Sequence, residues 1–323
     1  MHIYWFKDSI TGHLKQVEAL ISELAKNLEF TLTSIDCSNI DKASRNRESI
    51  FADQLKLNQS ILLLGAGHNV FSKILQSKKY LVENFNVKIA AIAILKPSYK
   101  LRSFDLICAP KHDFNLRKLP SNVLTFLGSL SSVSYSPINE SKAIIAIGGE
   151  SKHYKLNKKI LMKQLHFILS MHPNYDFMIF NSRRTPDDVN ALIQNELNEY
   201  SNSRFIDLNS SESETFQKCL HESALKFVTP DSSNLVFESL SSYGKTFLIQ
   251  IEDPKYRRIF GTKKIRNAMN ELVQSKIAGV VSILQKKGGV NISKIEKPLQ
   301  NQEPLAEVEK VAFSIIKYLE AQE

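Results

Sequence analysis

Asp8, Gly12 and His13 lie in one short loop and carry the residue types that acid–base chemistry requires. The loop follows an apolar run, His2 to Phe6, and precedes a segment with helical period. An imidazole near the start of a helix suits general-base chemistry near neutral pH, because the unperturbed pKa of histidine is about 6.5. His13 and Asp8 are therefore the candidate catalytic residues. A solvated histidine that caps the helix is the plainer interpretation of this loop by itself.

Two further loops of the first half place glycines, histidines and a carboxylate after apolar runs. Gly65 and Gly67 let a ligand approach backbone N–H groups, although they do not complete the GxGxxG dinucleotide fingerprint. His68, His112 and Asp113 are alternative bases, and each of these loops taken alone is also typical of a surface turn. The predicted substrate-binding residues are Gly12, Gly65, Gly67, His68, His112 and Asp113.

Three loops of the second half suit phosphate binding. Gly148 and Gly149 follow an apolar strand pattern, and two arginines precede Pro186, a favourable first residue for a helix. The loop from Thr229 to Ser233 leads into a helix, whose first N–H groups and hydroxyls can hold a diphosphate. Glu238 lies about one turn further on and can accept hydrogen bonds from two ribose hydroxyls. Tight turns, solvated arginines and an ordinary helix cap are the alternatives for these loops taken singly.

These loops need strands and helices to position them, and the sequence provides both in alternation. Short β-branched apolar runs recur between longer segments with helical period, which is typical of parallel sheets covered by helices. The serine-rich stretch from Ser129 to Lys142 interrupts the alternation and is typical of a domain linker. We predict an N-terminal α/β domain over residues 1–135, a second one over 141–302, and a C-terminal helix over 303–323 that packs back on the body.

The composition is that of a globular chain with a basic excess. Of 323 residues, 42 are lysine or arginine and 33 are aspartate or glutamate, which gives a formal net charge of +9. Such an excess fits an anionic partner: a nucleic acid, an acidic lipid surface or a phosphorylated small molecule. No nucleic-acid-binding module is recognisable, so we predict no nucleic-acid partner.

Targeting and metal signals are missing from the sequence. No apolar run approaches the roughly 18 residues that span a bilayer, and the N-terminus lacks the features of a secretory signal. We therefore expect a cytoplasmic protein. Cys37, Cys108 and Cys219 are odd in number and far apart, which indicates neither a disulfide framework nor a zinc site, and no metal site is predicted.

The order and spacing of these motifs resemble the bacterial and plant family named for the elongated-mitochondria protein, whose members are regarded as GT-B glycosyltransferases. The resemblance runs over most of residues 1–250. Two stretches depart from the family pattern, Ser9 to Thr11 and Phe237 to Leu240, and they bear on acceptor choice more than on fold. The matching positions are Asp8, Gly12, His13, Gln16, Gly65, Gly67, His68, Pro110, His112, Asp113, Gly148, Gly149, Ser151, His153, Ser182 to Pro186, Thr229, Asp231, Ser232, Ser233 and Glu238.

The resemblance implies a GT-B-like α/β fold, with two Rossmann-like domains whose parallel sheets face a central cleft. It implies a metal-independent glycosyltransferase that moves a sugar from a nucleotide-sugar to a membrane-linked or cell-envelope glycan acceptor, with no cofactor besides the donor. The diphosphate would lie at Ser232 and Ser233, the ribose at Glu238, and Arg183 or Arg184 would supply counter-charge. The implied nucleotide-sugar-binding residues are Gly148, Gly149, Ser151, His153, Ser182, Arg183, Arg184, Asp231, Ser232, Ser233 and Glu238.

Two other functions stay open at this point. One is a nucleotide-sugar epimerase on the same double fold, and the other is a non-catalytic membrane-associated adaptor. A peripheral enzyme on the inner face of a membrane would meet anionic lipids through the basic residues of its first half. Those residues are Lys73, Lys78, Lys79, Lys96, Lys100, Arg102, Lys111, Arg117 and Lys118.

Overall fold

A computed structural model describes residues 1–37, 51, 60–151, 154–197, 199–208, 213–252, 263–285, 291–299 and 303–322. The chain divides into two units. Unit 1 combines Met1–Ser132 with Ala306–Glu323, and unit 2 is Val133–Leu305.

Strands and helices alternate through both units, as the β-branched and helical patterns predict. The strands are β1 (His2–Lys7), β2 (Thr31–Asp36), β3 (Ile61–Ala66), β4 (Ile89–Ile94), β5 (Leu106–Pro110), β6 (Val123–Phe126), β7 (Asn139–Ala146), β8 (Asp176–Phe180), β9 (Ser203–Ile206), β10 (Ser223–Val228), β11 (Lys245–Ile249), β12 (Gly279–Gln285) and β13 (Asn291–Glu296). The helices are α1 (Thr11–Leu24), α2 (His68–Asn84), α3 (Lys158–Met171), α4 (Asp187–Leu197), α5 (Ser213–Glu222), α6 (Ser233–Leu240), α7 (Lys263–Gln274) and α8 (Glu307–Glu320).

Unit 1 is built on a six-stranded parallel sheet with the order β2-β1-β3-β4-β5-β6. Strands β3 and β4 are almost wholly buried, as expected for central strands of a parallel sheet covered on both faces. Helix α8 returns from the end of the chain and packs against α1. Glu307, in its first turn, accepts a hydrogen bond from the backbone N–H of Leu127 at 2.7 Å.

Unit 2 is built on a seven-stranded sheet with the order β13-β12-β11-β10-β7-β8-β9. All of its strand pairs are parallel except β12 with β13. Phe227 on β10 and Phe247 on β11 stack with ring centroids 4.9 Å apart in the core. The predicted α/β fold class, with two mostly parallel sheets, is confirmed.

Two details differ from the sequence expectations. Strand β7 begins at Asn139, inside the stretch predicted as a linker, because Asn139 pairs with β10 and Lys142 pairs with β8 despite their polar side chains. Strands β12 and β13 continue the sheet where the sequence patterns indicated no strand. Their antiparallel pairing buries Val281 and Ile283 while Leu284 and Ile292 stay exposed, so the alternation is weak.

The turn that follows α6 anchors both points at which the chain crosses between the units. The N–H of Ser134 donates to the carbonyl of Ser241 at 2.9 Å, and the N–H of Leu305 donates to the carbonyl of Leu240 at 2.7 Å. The Ser241 hydroxyl also donates to the carbonyl of Leu305 at 3.0 Å. The two connecting segments are therefore held by adjacent residues of one turn.

Lys226 lies under this turn and is fully buried. Its Nζ donates to the carbonyls of Ser239 and Ser242, at 3.0 and 3.1 Å, and to the Ser242 hydroxyl at 2.5 Å. Burial lowers the pKa of Lys226 to about 7. The lysine caps carbonyls at the end of α6, where a cation complements the helix dipole.

In the described part of the chain, every helix is too short or too polar to cross a membrane.

Candidate functional site

The Asp8 and His13 side chains form a direct pair in unit 1. Asp8 follows β1, its side chain is 2% exposed, and its Oδ2 lies 2.7 Å from Nδ1 of His13. The N–H of Ile10 donates to Oδ1 of the same carboxylate at 3.0 Å. Because a carboxylate only accepts hydrogen bonds, Nδ1 of the imidazole carries the proton and Nε2 is left to accept one. The His13 side chain is 22% exposed, so part of the imidazole is open to solvent.

Gly67 encloses this pair from the neighbouring strand. Its φ of +93° lies in the left-handed region, and a Cβ there would overlap the His13 ring and lie 2.9 Å from Oδ2 of Asp8. Only glycine therefore allows the chain leaving β3 to pass against the pair. Strands β1 and β3 are adjacent although β2 separates them in sequence, which makes this the point where the strand order reverses. Ligands of such sheets bind beyond the carboxyl ends of strands at that point.

The other predicted residues of unit 1 lie along the same edge of the sheet. Gly12 is in the first turn of α1, where its carbonyl accepts a hydrogen bond from Gln16 Nε2 at 3.1 Å. Gly65 is buried near the end of β3, and His68 is exposed at the start of α2. His112 and Asp113 follow β5 in a single 3-10 turn, with β4 between them and the end of β3.

Asp231 is the centre of the candidate site in unit 2. Its carboxylate is fully buried and accepts hydrogen bonds from the Thr229 hydroxyl at 2.6 Å, the Gly149 N–H at 3.1 Å and Arg184 Nη2 at 2.8 Å. Burial raises the pKa of Asp231, and these three hydrogen bonds oppose that rise. One carboxylate thus joins the loops after β7, β8 and β10. Asp231 and its three donors, Thr229, Gly149 and Arg184, are called the hub.

Close packing holds the glycine loop against its neighbours. The Gly148 N–H donates to the Thr229 hydroxyl at 2.7 Å, and the Gly148 carbonyl accepts from the Thr185 hydroxyl at 2.6 Å. A Cβ on Gly148 would overlap the Asp231 carboxylate, and one on Gly149 would overlap the carbonyl of Arg184. The N–H groups of both glycines already have acceptors, so these donors hold the loops together. A role in nucleotide-sugar binding stays a prediction for both residues.

The two predicted arginines differ in their surroundings. Arg183 is exposed. Arg184 is anchored on one side by Asp231, its Nη1 donates to the Glu150 carbonyl at 3.3 Å, and its side chain is 44% exposed. Ser182 supports this loop, because its hydroxyl accepts a hydrogen bond from the Arg184 N–H at 3.2 Å. Arg184 is therefore a cation of fixed position that remains open to solvent.

Helix α6 begins next to this hub. Ser232 is its N-cap, with its hydroxyl accepting from the Leu235 N–H at 3.5 Å, and Ser233 is the first helical residue. Glu238 lies on the same helix, and its Oε1 accepts a hydrogen bond from Gln217 on α5 at 2.6 Å. No sequence motif indicates Gln217, because only the tertiary fold brings it within hydrogen-bond distance of Glu238.

The remaining predicted residues lie in the loop after β7. Ser151 accepts a hydrogen bond from the Tyr154 N–H at 3.2 Å through its hydroxyl, whereas His153 lies outside the described residues. The end of the loop is tied to Glu252, whose Oε1 accepts the Lys155 N–H at 2.7 Å. Glu252 also binds Arg266 through two hydrogen bonds of 2.6 and 2.8 Å, a buried pair that the sequence did not single out.

The hub lies at the strand-order reversal of unit 2. Strands β7, β8 and β9 extend in one direction and β10, β11 and β12 in the other, so the ends of β7 and β10 flank the reversal. Gly148 follows β7 and Asp231 follows β10. Both units therefore place their candidate residues where open parallel sheets bind ligands. Among the described residues, no group of three or more His, Cys, Asp or Glu side chains could hold a metal ion.

Comparison with known proteins identifies the family. The sequence profile described as Mitochondrial fission ELM1 matches residues 11–319. This chain belongs to that family. The match confirms the resemblance predicted from the motifs, and it extends beyond residue 250 into α8. None of the curated proteins compared matches this ELM1-family sequence.

Solved structures share the fold of this ELM1-family chain at low sequence identity. A Listeria monocytogenes protein assigned as a UDP-N-acetylglucosamine 2-epimerase is 9% identical, with a TM-score of 0.58 over 99% of this chain and 96% of that one. The UDP-GlcNAc 2-epimerase of Neisseria meningitidis, bound to UDP-GlcNAc, is 14% identical, with a TM-score of 0.54 over 99% and 100% of the two chains. The E. coli ADP-heptose LPS heptosyltransferase II is 11% identical, with a TM-score of 0.46 over the full length of both. The two epimerase structures confirm the predicted GT-B-like fold class.

Proposed function

We propose that this chain is a glycosyltransferase that uses a nucleotide-sugar donor without a metal ion. The observation that carries the proposal is the placement of two complementary sets of residues at the strand-order reversals. Unit 1 has an oriented imidazole there, and unit 2 has an anchored guanidinium beside a helix N-terminus. The first suits proton abstraction and the second suits a diphosphate.

The acceptor hydroxyl is activated by His13. Nε2 of His13 removes the hydroxyl proton as the acceptor oxygen attacks the anomeric carbon of the donor. Asp8 holds the imidazole in the required tautomer and stabilises the imidazolium that forms, because its buried carboxylate accepts the Nδ1 proton. Asp8 is therefore proposed as a positioning residue.

The leaving group is the nucleoside diphosphate. As the bond from the anomeric carbon to the diphosphate oxygen breaks, negative charge grows on that oxygen. The N–H groups at the start of α6, with Ser232 and Ser233, and the guanidinium of Arg184 stabilise this charge in place of a metal. Glu238 accepts hydrogen bonds from the ribose hydroxyls, with Gln217 fixing its carboxylate.

Donor binding is tested by thermal shift with UDP, ADP, GDP, CDP and CMP as probes, because a ligand that binds only the folded state raises the melting temperature. We expect one nucleotide to stabilise the protein and Arg184→Ala to weaken that nucleotide by about tenfold, the loss of one charge-assisted hydrogen bond. Arg183→Ala is the matched control and should change the affinity by less than about twofold. Equal losses in both variants would contradict the role of the anchored arginine.

Base catalysis is tested once the donor is known. His13→Ala should lower turnover by about 100-fold or more while leaving nucleotide binding in place. Turnover near the wild-type level would rule out His13 as the base, and His68 or His112 would then be examined.

A nucleotide-sugar epimerase is the second candidate, favoured by the likeness of fold to two UDP-GlcNAc 2-epimerases. The reaction run without any acceptor separates the two functions. An epimerised sugar would support the epimerase, whereas transfer only in the presence of an acceptor would support the glycosyltransferase.

The proposed acceptor is carried by an anionic membrane. Lys100, Arg102, Arg117 and Lys118 are exposed on the two connections between β4, β5 and β6. Each basic residue near an anionic bilayer contributes about 1 kcal/mol of binding free energy, and salt screens it. Vesicles with phosphatidylserine should bind the protein at low salt, and replacing the four residues by glutamate should abolish this. Tight vesicle binding without any nucleotide-induced stabilisation would instead support a non-catalytic adaptor.

A further inference from the structure

A cavity of about 530 Å³ opens at the opposite edge of the unit 2 sheet, where the strands begin. It lies at the start of β10, beside Leu225, and at the start of β11, beside Lys245. Pro137 and Glu303, from the two connecting segments, form other parts of its wall. Its volume is within the range of small-molecule sites, roughly 300 to 1,000 Å³.

The cavity is separate from the donor loops. Those loops follow the carboxyl ends of β7, β8 and β10, whereas the cavity lies at the amino end of β10. Strand β10 has six residues, so its two ends are roughly 17 to 20 Å apart. A ligand in the cavity would not occupy the position proposed for the diphosphate.

The polar groups of the cavity require a particular kind of ligand. Glu140 and Glu303 only accept hydrogen bonds when ionised, and Lys245 only donates them. The Tyr243 hydroxyl donates to Oε2 of Glu303 at 3.1 Å and can still accept. A ligand rich in hydroxyl groups satisfies all of these, because each hydroxyl both donates and accepts. Two carboxylates against one ammonium disfavour a phosphate or another anion.

Two aromatic side chains of the cavity also favour a sugar as the ligand. Tyr175 and Tyr243 both line the cavity and offer apolar ring surface together with a polar end. The C–H faces of a sugar ring pack on such surfaces while its hydroxyls meet the polar groups around them.

We propose that this cavity binds a neutral oligosaccharide. Two sugar rings fit its volume, and the site is independent of the proposed donor chemistry. A glycan held there would be bound at a distance from the reacting bond, whichever function the donor loops perform.

Saturation-transfer difference NMR of the full chain tests the proposal, with diacetylchitobiose, maltose and lactose as neutral probes and glucuronic acid as the charged control. We expect at least one disaccharide to receive saturation and glucuronic acid to receive none. Titration calorimetry with that disaccharide should show a loss of about 3- to 10-fold for Tyr243→Ala and for Tyr175→Ala, the range expected for one aromatic contact.

Two control variants and one alternative cavity variant show whether the disaccharide binds in this cavity. Tyr99→Ala, an exposed tyrosine of unit 1, is the matched control and should bind the disaccharide like the wild type. Arg184→Ala should also bind it normally, since it alters only the donor loops. Lys245→Gln serves if a tyrosine variant fails to fold, and should weaken binding.

Absence of saturation for all three disaccharides, or unchanged affinity in the Tyr175, Tyr243 and Lys245 variants, would overturn the proposal. Nucleotide binding is measured in a separate experiment. If no nucleotide binds, the disaccharide measurements still test the cavity.

Discussion

Replacement of Asp231 by asparagine should destabilise unit 2. The asparagine keeps the shape of the side chain and one acceptor oxygen, which can still bind the two donors of Oδ2, Gly149 and Arg184. Its NH₂ group then faces the Thr229 hydroxyl, which now donates to Oδ1. Thr229 and Gly149 are buried partners of Asp231, and each hydrogen bond to a charged group contributes about 1.5 to 3 kcal/mol. Arg184 is 44% exposed, so its ion pair adds at most about 1 kcal/mol. We therefore expect a loss of roughly 1.5 to 3 kcal/mol in the free energy of unfolding, the contribution of the Thr229 hydrogen bond.

The assay exploits the position of the single tryptophan. Trp5 lies on β1 in unit 1 and is 5% exposed, so its fluorescence reports the unfolding of unit 1, whereas far-ultraviolet circular dichroism reports both units. With a urea m-value of about 2 kcal/mol/M, the loss predicts a decrease of about 0.8 to 1.5 M in the midpoint of the unit 2 transition.

Asp176→Asn is the matched control, because Asp176 is an exposed aspartate of the same unit, and it should change the midpoint little. If Asp231→Asn unfolds within about 0.5 kcal/mol of the wild type, the carboxylate does not hold the three loops together and our account of the hub is wrong.

Three further predictions concern other residues. Gly67→Ala should destabilise unit 1 by about 2 to 4 kcal/mol, because the left-handed backbone and the overlap with His13 both oppose a Cβ; an unchanged Trp5 fluorescence transition would contradict this. Asp8→Asn should lower kcat by about 10- to 1,000-fold with little effect on donor KM, and an effect on KM alone would argue against a positioning role. The lowered pKa of Lys226 means that the unfolded chain binds more protons between about pH 7 and 10.5, so stability should rise with pH in that window, by at most about 1.4 kcal/mol per pH unit. Lys226→Met should remove this rise in urea titrations at pH 7, 8 and 9, and a wild-type slope equal to that of the variant would refute it.

The sequence predicts the fold class and the edges of the sheets where the candidate residues lie. The alternation of apolar runs and helical segments indicates parallel sheets, and parallel strands bring loops such as Asp8 to His13 to one edge. The contact of Gly67 with His13 could not be predicted in this way, because it depends on β3 pairing with β1, and loop composition does not encode strand order.

The sequence predicts individual polar residues of the candidate sites but not the hydrogen bonds that join them. The sequence around Asp231 is typical of a helix cap or a phosphate-binding loop. The burial of Asp231 and its three hydrogen-bond donors depend on the contact of three loops that are distant in sequence. Gln217 and Arg266 carry no motif at all, since they act through tertiary contacts with Glu238 and Glu252. Their identification required the packing of α5 and α7 in addition to periodicity.

Unit 2 is an insertion in unit 1, because the chain of unit 1 runs from Met1 to Ser132 and resumes at Ala306. Ser134 and Leu305 bind adjacent residues of the turn after α6, so the two ends of unit 2 lie close together. Residues 133–305 can therefore be expressed as one continuous piece, whereas a fragment ending at Ser132 would lack α8 and expose the apolar face of α1. Joining Ser132 to Ala306 through a short glycine linker should yield unit 1 as an autonomous protein, in which the pairing of Asp8 with His13 can be studied by NMR.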